Sequence, residues 1–488
     1  MTSLTMSASQ RTAGCVRHLA FPAAVVVVLG AASTQQAQAQ SQAGGDQTSS
    51  AVQAGPVTLN FGGFTELATI YRSRNEVSDV GSDFNTGIPF NNNVLAHQSE
   101  FRMSARQSRF SLLAQGEPYG GARAESYLEA DFLSAGVTSN SRESNSYTLR
   151  MRHFYGRFMT DSGFDLLAGQ NWSFVTLEKK GMNPRDENIP LTIDAQYVVG
   201  FNWLRNPQVR FVEHFSPALS LGLSVESPQA VTSNGINSAG LPTGTTFPPG
   251  SVNFQNTGDA AGLENNSTTY TADNKPDVIA KAAADPGYGH YEVYGLARWF
   301  QSTVALQSTS SMGGGIGAGM ILPLLPDNSM TFQASGLAGK GIGRYGSTQL
   351  PDVTMQPNGK LSPLQEYQFL LGLTYLPNHD LTTYLYAGRE KEKATYYTVG
   401  AETFGYGAPE FNNSGCLQTS GTCVGNTNAV EEVTAGFWWK FYSGQLGNFQ
   451  FGLQGEFLQR DAFGGVGGAP SANIFIGMTS FRYYPYQH

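Results

Sequence analysis

Charged side chains in alternate positions are the residues of this chain best placed to act on a solute. Over 122–133, Arg123, Glu125, Tyr127, Glu129 and Asp131 share one side of an extended chain, and Ala124, Leu128, Ala130 and Phe132 share the other. In the next segment Leu149 and Met151 alternate with Arg150 and Arg152. In the preceding one Arg102 and Arg106 oppose Phe101 and Met103, whereas Phe110 and Leu112 set the opposite phase and turn Arg109 to the same side as the charges. A bulge near Gln107 reconciles the two phases, because one extra residue reverses the alternation. Guanidinium groups bind carboxylates bidentately. Arg102, Arg106, Arg109, Arg150 and Arg152, flanking Glu125, Glu129 and Asp131, therefore read as a wall that attracts and orients anionic solutes. The competing reading is a set of salt-bridged pairs that stiffen a wet wall.

Other reactive residues are fewer. The segment 175–207 carries Lys179, Lys180 and Arg185. A long charged loop of this kind can fold into a pore and set its narrowest point, and these three are the constriction candidates; the alternative is a solvated external loop. Cys416 and Cys423 lie close together with no His or second Cys pair nearby, which points to a disulfide across a loop tip and not to a metal site. His153, His214, His290 and His379 are scattered, and no catalytic signature, cofactor motif or metal-ligand spacing is present. Gly341–Gly346 matches G-x-G-x-x-G, but Ser, Thr, Pro and Asn follow where a dinucleotide site needs a helix.

The elements that must hold these charges are strands. In Asn448–Phe457, Phe449, Phe451, Leu453 and Phe457 fall on one face, and Gln450, Gln454 and Glu456 on the other. This pattern recurs along the chain and predicts sixteen strands, at 57–71, 99–114, 122–133, 146–159, 163–174, 208–216, 219–226, 277–284, 288–301, 313–323, 329–338, 364–376, 381–391, 430–442, 448–459 and 471–484. Short turns follow the even strands. Long connections follow the odd ones, most clearly 72–98, 134–145, 175–207, 227–276, 339–363 and 392–429. The expected fold is all-β: a sixteen-stranded antiparallel transmembrane barrel with short periplasmic turns and long extracellular loops. The glycine-rich run Gly313–Gly319 reads as a strand that passes close to another backbone or leaves space in the lumen.

Composition agrees. Gly is 57 of 488 residues, aromatics are 12% and charged residues 14%, against ordinary values of about 7% for Gly and about 25% for charge. Mean hydropathy is −0.24, and no run after the start reaches the ~20 apolar residues of a spanning helix. Residues 1–39 read as a signal peptide: Arg11 and Arg17, an apolar stretch from Leu19 to Ala32, and Ala37-Gln38-Ala39 as the cleavage site. Loss of those two arginines takes the net charge from −8 to −10, and an acidic chain offers no broad footprint for nucleic acid. Residues 40–56 read as a flexible segment and 57–488 as the barrel, located in a bacterial outer membrane and in contact with its lipid.

Segments throughout this order of strands resemble the DcaP-like group of trimeric outer-membrane porins. They include Gln107-Ser108-Arg109-Phe110-Ser111, Glu129-Ala130-Asp131-Phe132, Leu149-Arg150-Met151-Arg152-His153-Phe154-Tyr155-Gly156, Leu167-Ala168-Gly169-Gln170-Asn171-Trp172, Val225-Glu226-Ser227-Pro228, Pro276-Asp277-Val278, Gly341-Ile342-Gly343-Arg344-Tyr345 and Phe481-Arg482-Tyr483-Tyr484-Pro485. The resemblance implies a homotrimer and passive uptake of small anions, dicarboxylates foremost. Two features depart from the group. Residues 40–56 show no heptads where some members carry a coiled coil, and the chain ends Tyr486-Gln487-His488 where barrels commonly end in Phe. The leading functional expectation is a water-filled channel for small anionic solutes. The alternatives are a structural or adhesive barrel with an occluded lumen, and an outer-membrane barrel enzyme.

Overall fold

The computed structural model describes residues 51–134, 147–233, 252–257, 269–419 and 421–486. The expected signal peptide, most of 40–56 and 134–145, and much of 227–276 lie outside the described residues. Among the described residues one antiparallel sheet of sixteen long strands closes on itself. The strands are β1 (Val57–Arg72), β2 in two pieces (Glu100–Ser104 and Arg109–Gly116), β3 (Arg123–Asp131), β4 (Arg150–Met159), β5 (Phe164–Trp172), β6 (Arg205–Ser216), β7 (Leu219–Glu226), β8 (Asp277–Ala284), β9 (His290–Val304), β10 (Gln307–Pro323), β11 (Met330–Lys340), β12 (Gln365–Asn378), β13 (Leu381–Glu392), β14 (Thr427–Gly444), β15 (Gly447–Ala462) and β16 (Ser471–Tyr484). Each strand pairs with the next, and β16 returns to β1 through Thr65–Arg72 against Ile476–Tyr483. All sixteen predicted strands are present.

The alternation is the cause. Leu453 and Phe457 are exposed on the outer face while Gln450, Gln454 and Glu456 are buried on the inner one. Phe101, Met103, Leu149, Met151, Phe154, Leu221, Val293, Ile316 and Phe475 continue the apolar exterior around the barrel. A closed ladder leaves no unpaired strand edge, and an apolar exterior suits lipid, so this is a transmembrane barrel of the outer-membrane type. Trp439, Phe441, Phe449, Phe481 and Tyr483 form one aromatic cluster at the short-turn end of the last three strands, with Phe449 stacked on Tyr483 at 4.3 Å.

Three local features differ from the expected layout. The β9–β10 connection, on the long-loop side, is only Ala305-Leu306, both at positive φ. Such a two-residue turn matches the twist of a hairpin. Ala51–Ala54, within the segment read as flexible, is itself a strand paired with Val57–Asn60. The irregularity placed near Gln107 is a full break: Ser108 N–H donates to the Ala105 carbonyl at 3.0 Å, and Glu66 N–H bonds the Ser108 hydroxyl instead of a ladder carbonyl. Cys416 and Cys423 are joined by the expected disulfide.

Candidate functional site: a constriction loop on a charged wall

The inside of the barrel is buried because a loop occupies it. Residues 173–204, between β5 and β6, run around the inner wall. Glu178 N–H donates to Glu292 at 3.0 Å and Gly181 N–H to Asp285 at 2.9 Å. Asn188 donates to Gln333, Leu191 N–H to the Tyr386 hydroxyl, and Ile193 N–H to Gln454. On the return leg Val199 N–H donates to Glu432 at 2.8 Å and Gly200 N–H to Glu390 at 2.7 Å. A loop has no ladder of its own, so its buried N–H groups must find partners; here carboxylates of β9, β13, β14 and the β8–β9 turn, the Gln454 amide of β15 and the Tyr386 hydroxyl supply them.

Glycine makes the close approach possible. Gly200 has φ +85°, and a Cβ there would overlap the Phe369 carbonyl. A Cβ on Gly388 of β13 would overlap the Val199 carbonyl. The inward stripe of Gly313–Gly319 plays the same part on β10: Gly319 faces Leu177 of the loop and Gly317 faces the Tyr294 ring. The expected lumen space is therefore filled by the loop and by its neighbours.

The charges on this wall are paired. Arg150 bonds Asp131 through Nε at 2.9 Å and Nη2 at 2.7 Å. Arg152 bonds Glu129 at 2.5 Å and Asp131 at 3.0 Å, and Arg109 lies 3.5 Å from Glu129. A bulge in β4 opposite Glu129 and Ala130 lets Arg152 and His153 both face inward while Phe154 faces out. Arg185 of the loop reaches Glu125 at 3.2 Å and the Tyr155 hydroxyl at 2.7 Å. Two arginines lie elsewhere. Arg102 pairs with Glu100 near the rim. Arg106, carried out of phase by the β2 break, donates to Asp79 and to the carbonyls of Phe132 and Ser134, so it ties the rim loops and does not line the lumen wall. Lys180 is exposed and Lys179 partly buried; of the three constriction candidates only Arg185 is held against the wall by hydrogen bonds to it.

Sequence reasoning missed Arg205, at the start of β6. Its guanidinium lies 4.8 Å from the Trp172 ring centre and 5.1 Å from that of Trp203, and no carboxylate lies within ion-pair distance among the described residues. Tyr197 joins it to Arg152, its hydroxyl 3.4 Å from one and 3.5 Å from the other. Arg109, Arg150 and Arg152 thus share two carboxylates, Glu129 and Asp131, and with Arg205 beside them the cluster carries a surplus of two positive charges next to the loop. The Arg150 side chain is 33% exposed, whereas both carboxylates are at most 4% exposed. On the facing wall Glu390 and Glu432 are also buried, turned to the loop backbone. Arg150 is therefore far more exposed than either carboxylate of the cluster.

Tyr197 makes this cluster sensitive to pH. Burial pushes its phenol up, but the guanidiniums of Arg152, Arg205 and Arg109 outweigh burial and hold it at about 8, against an ordinary value of about 10. A depressed folded-state value stabilises fully above the ordinary one, and that stabilisation is lost as pH falls through the folded one. The same ionisation removes one unit of the positive surplus. Any anion preference should weaken between pH 7 and 9, and Tyr197→Phe should flatten that dependence. Reversal potentials across this range provide the check, and a persisting slope in the variant would reassign the titrating group.

The remaining motifs resolve as structural contacts. Gly341–Gly346 contains a three-residue 3-10 turn whose Tyr345 hydroxyl donates to Asp277 at 2.9 Å. His153 hydrogen-bonds Asn171. His214 Nδ1 lies 2.9 Å from the Ser220 hydroxyl, while its Nε2 is 3.8 Å from an Asp165 that Arg157 already engages.

No family model matches the chain, and no curated protein matches it. Among solved structures, the outer membrane channel DcaP of Acinetobacter baumannii aligns with a TM-score of 0.59 at 17% identity, over 88% of this chain and 97% of that one. The chain shares that channel's barrel fold. OmpF of Salmonella typhi in complex with daunomycin aligns at 0.47 and 7% identity, over 89% and 99% of the two chains. OmpT of Vibrio cholerae, folded in vitro, aligns at 0.46 and 9%, over 89% and 100%.

Proposed function

We propose that this barrel is an outer-membrane channel for passive diffusion of small anionic solutes, carboxylates above all, and that it works as a homotrimer like the DcaP-like group it resembles. One observation carries the reading: Arg109, Arg150 and Arg152 share two buried carboxylates beside the constriction loop, Arg205 adds a fourth guanidinium next to them, and Arg150 is partly exposed. A pore selects by the charge and hydrogen-bonding groups at its narrow ring, and a cleft lined with surplus charge of one sign concentrates counter-ions. The test is planar-bilayer recording from the purified full-length protein under a KCl gradient. A reversal potential of the sign set by chloride is expected, together with a trimer band before heating on electrophoresis. A cation-set reversal potential would overturn the anionic reading.

One observation favours a second reading. The loop runs around the inner wall and leaves most inward side chains buried, as an occluded structural barrel would require. Absence of any conductance would select that reading over the first.

A further inference from the structure

Two cavities open in the mouth of the barrel, above the constriction loop. The larger, about 320 Å³, lies between residues 82–86, Gln196 of the constriction loop and residues 347–349. The smaller, about 170 Å³, lies between residues 85–86, 349–351 and 425–427. They share Asn85, Thr86 and Gln349 as a common wall, so they form two parts of one vestibule. Together they reach the lower end of the volumes that hold small-molecule ligands.

The lining is polar and its charges are already committed. Arg460 donates to the Thr427 hydroxyl and to the carbonyls of Ile88 and Gly425. Asp83 accepts from Asn85 N–H and the Thr86 hydroxyl. Side-chain amides remain. The Asn85 carbonyl oxygen takes the Thr427 hydroxyl, leaving its NH₂ group. Asn426 accepts from Gly407 N–H through its carbonyl oxygen and likewise keeps its NH₂. Gln196 donates to the Ser347 carbonyl and keeps its own carbonyl oxygen. Gln349 is exposed, sits at φ 48°, and its side chain has no hydrogen bond among the described residues. The vestibule thus offers donors and acceptors side by side. A carboxylate only accepts, whereas a hydroxyl both donates and accepts.

Gln196 also adjoins Tyr197, whose hydroxyl lies within 3.5 Å of both Arg152 and Arg205. One peptide unit therefore separates a group facing the vestibule from a group facing the basic cluster. On this basis, and resting on the carboxylate reading above, we infer that the vestibule is a binding site for hydroxyl groups and that the preferred solutes are polyhydroxylated carboxylates of the sugar-acid type. The amides hold the hydroxyl end while the arginines draw the carboxylate.

The probes are glucarate and adipate, which have the same chain length and the same carboxylates and differ in the hydroxyls. Half-blocking concentrations of the ionic current through the full-length protein are compared. Glucarate should block at about tenfold lower concentration, as one or two added net hydrogen bonds would produce. Gln349→Ala with Asn85→Ala should bring the two to parity. Gln349→Ala alone, which removes a side chain without a partner, should cost part of the advantage even if the double variant misfolds. Equal block by both compounds in the unaltered protein, or a glucarate advantage that survives Gln349→Ala undiminished, overturns the inference. Reversal potential in KCl reports the carboxylate reading separately. Its failure would show as absent anion preference, whereas equal block with anion preference intact sinks the hydroxyl site alone.

Discussion

Arg150→Ala combined with Arg205→Ala is expected to abolish the channel's anion preference. The pair removes the two surplus charges of the cluster and leaves its buried core in place. Without Arg150, Asp131 keeps Arg152 at 3.0 Å; without Arg205, the Tyr197 hydroxyl keeps Arg152 at 3.5 Å. The anion-to-cation permeability ratio should fall about tenfold, the lower end of the focusing that charged clefts exert. The difference should shrink at high salt, as exposed charges are screened. Arg152→Ala is a poorer probe. It strips the shared partner from Glu129 and Asp131 together, and breaking a buried pair in this way costs about 3–5 kcal/mol. Its loss of barrel stability would mask any change in selectivity. An unchanged reversal potential in the Arg150/Arg205 double variant would place selectivity elsewhere in the lumen.

Gly388→Ala is expected to push the return leg of the constriction loop off the wall. The added methyl overlaps the Val199 carbonyl, a backbone atom held by the neighbouring hydrogen bonds to Glu390 and Glu432. Overpacking of this kind costs about 1–3 kcal/mol. Displacement of the leg also takes the Val199 N–H from Glu432 and the Gly200 N–H from Glu390, which keeps only Thr348. Single-channel conductance should rise and the heat-modification temperature fall. Gly200→Ala attacks the same contact from the loop side, where the methyl overlaps the Phe369 carbonyl and φ is +85°. Because both substitutions break one contact, the double variant should add little to either single one. Unaltered conductance and stability in Gly388→Ala would mean that the loop does not set the channel's width.

The wall was more legible in the sequence than the loop. At the start of β4 and just before it, Leu149, Arg150, Met151 and Arg152 declare their faces by type, since an arginine buried in lipid is costly and a methionine there is not. The conflict of phase around Gln107 announced the break in β2, although not which side Arg106 would take, because a break frees its flanking residues from both phases. Within β4 the bulge that brings Arg152 and His153 inward together was hidden. Two adjacent polar residues in a strand are consistent with either a bulge or an ordinary alternation, and only the partner strand decides.

Arg205, Glu390 and Glu432 illustrate the other limit. Glu390 and Glu432 are inward by alternation, whereas Arg205 falls in the phase of the exposed Pro207, Val209 and Phe211; the roles of all three come from Trp172, Trp203, Val199 and Gly200, which lie far away in sequence or in a loop without periodicity. By itself the sequence determined the closed barrel, its sixteen strands and the inward side of most charges, because strand alternation against lipid is a local rule applied residue by residue. The tertiary structure alone decided that those charges are paired, that two guanidiniums remain in surplus, and that residues 173–204 lie inside. Those outcomes depend on which side chains and backbone groups meet across the lumen, and no local pattern encodes such a meeting.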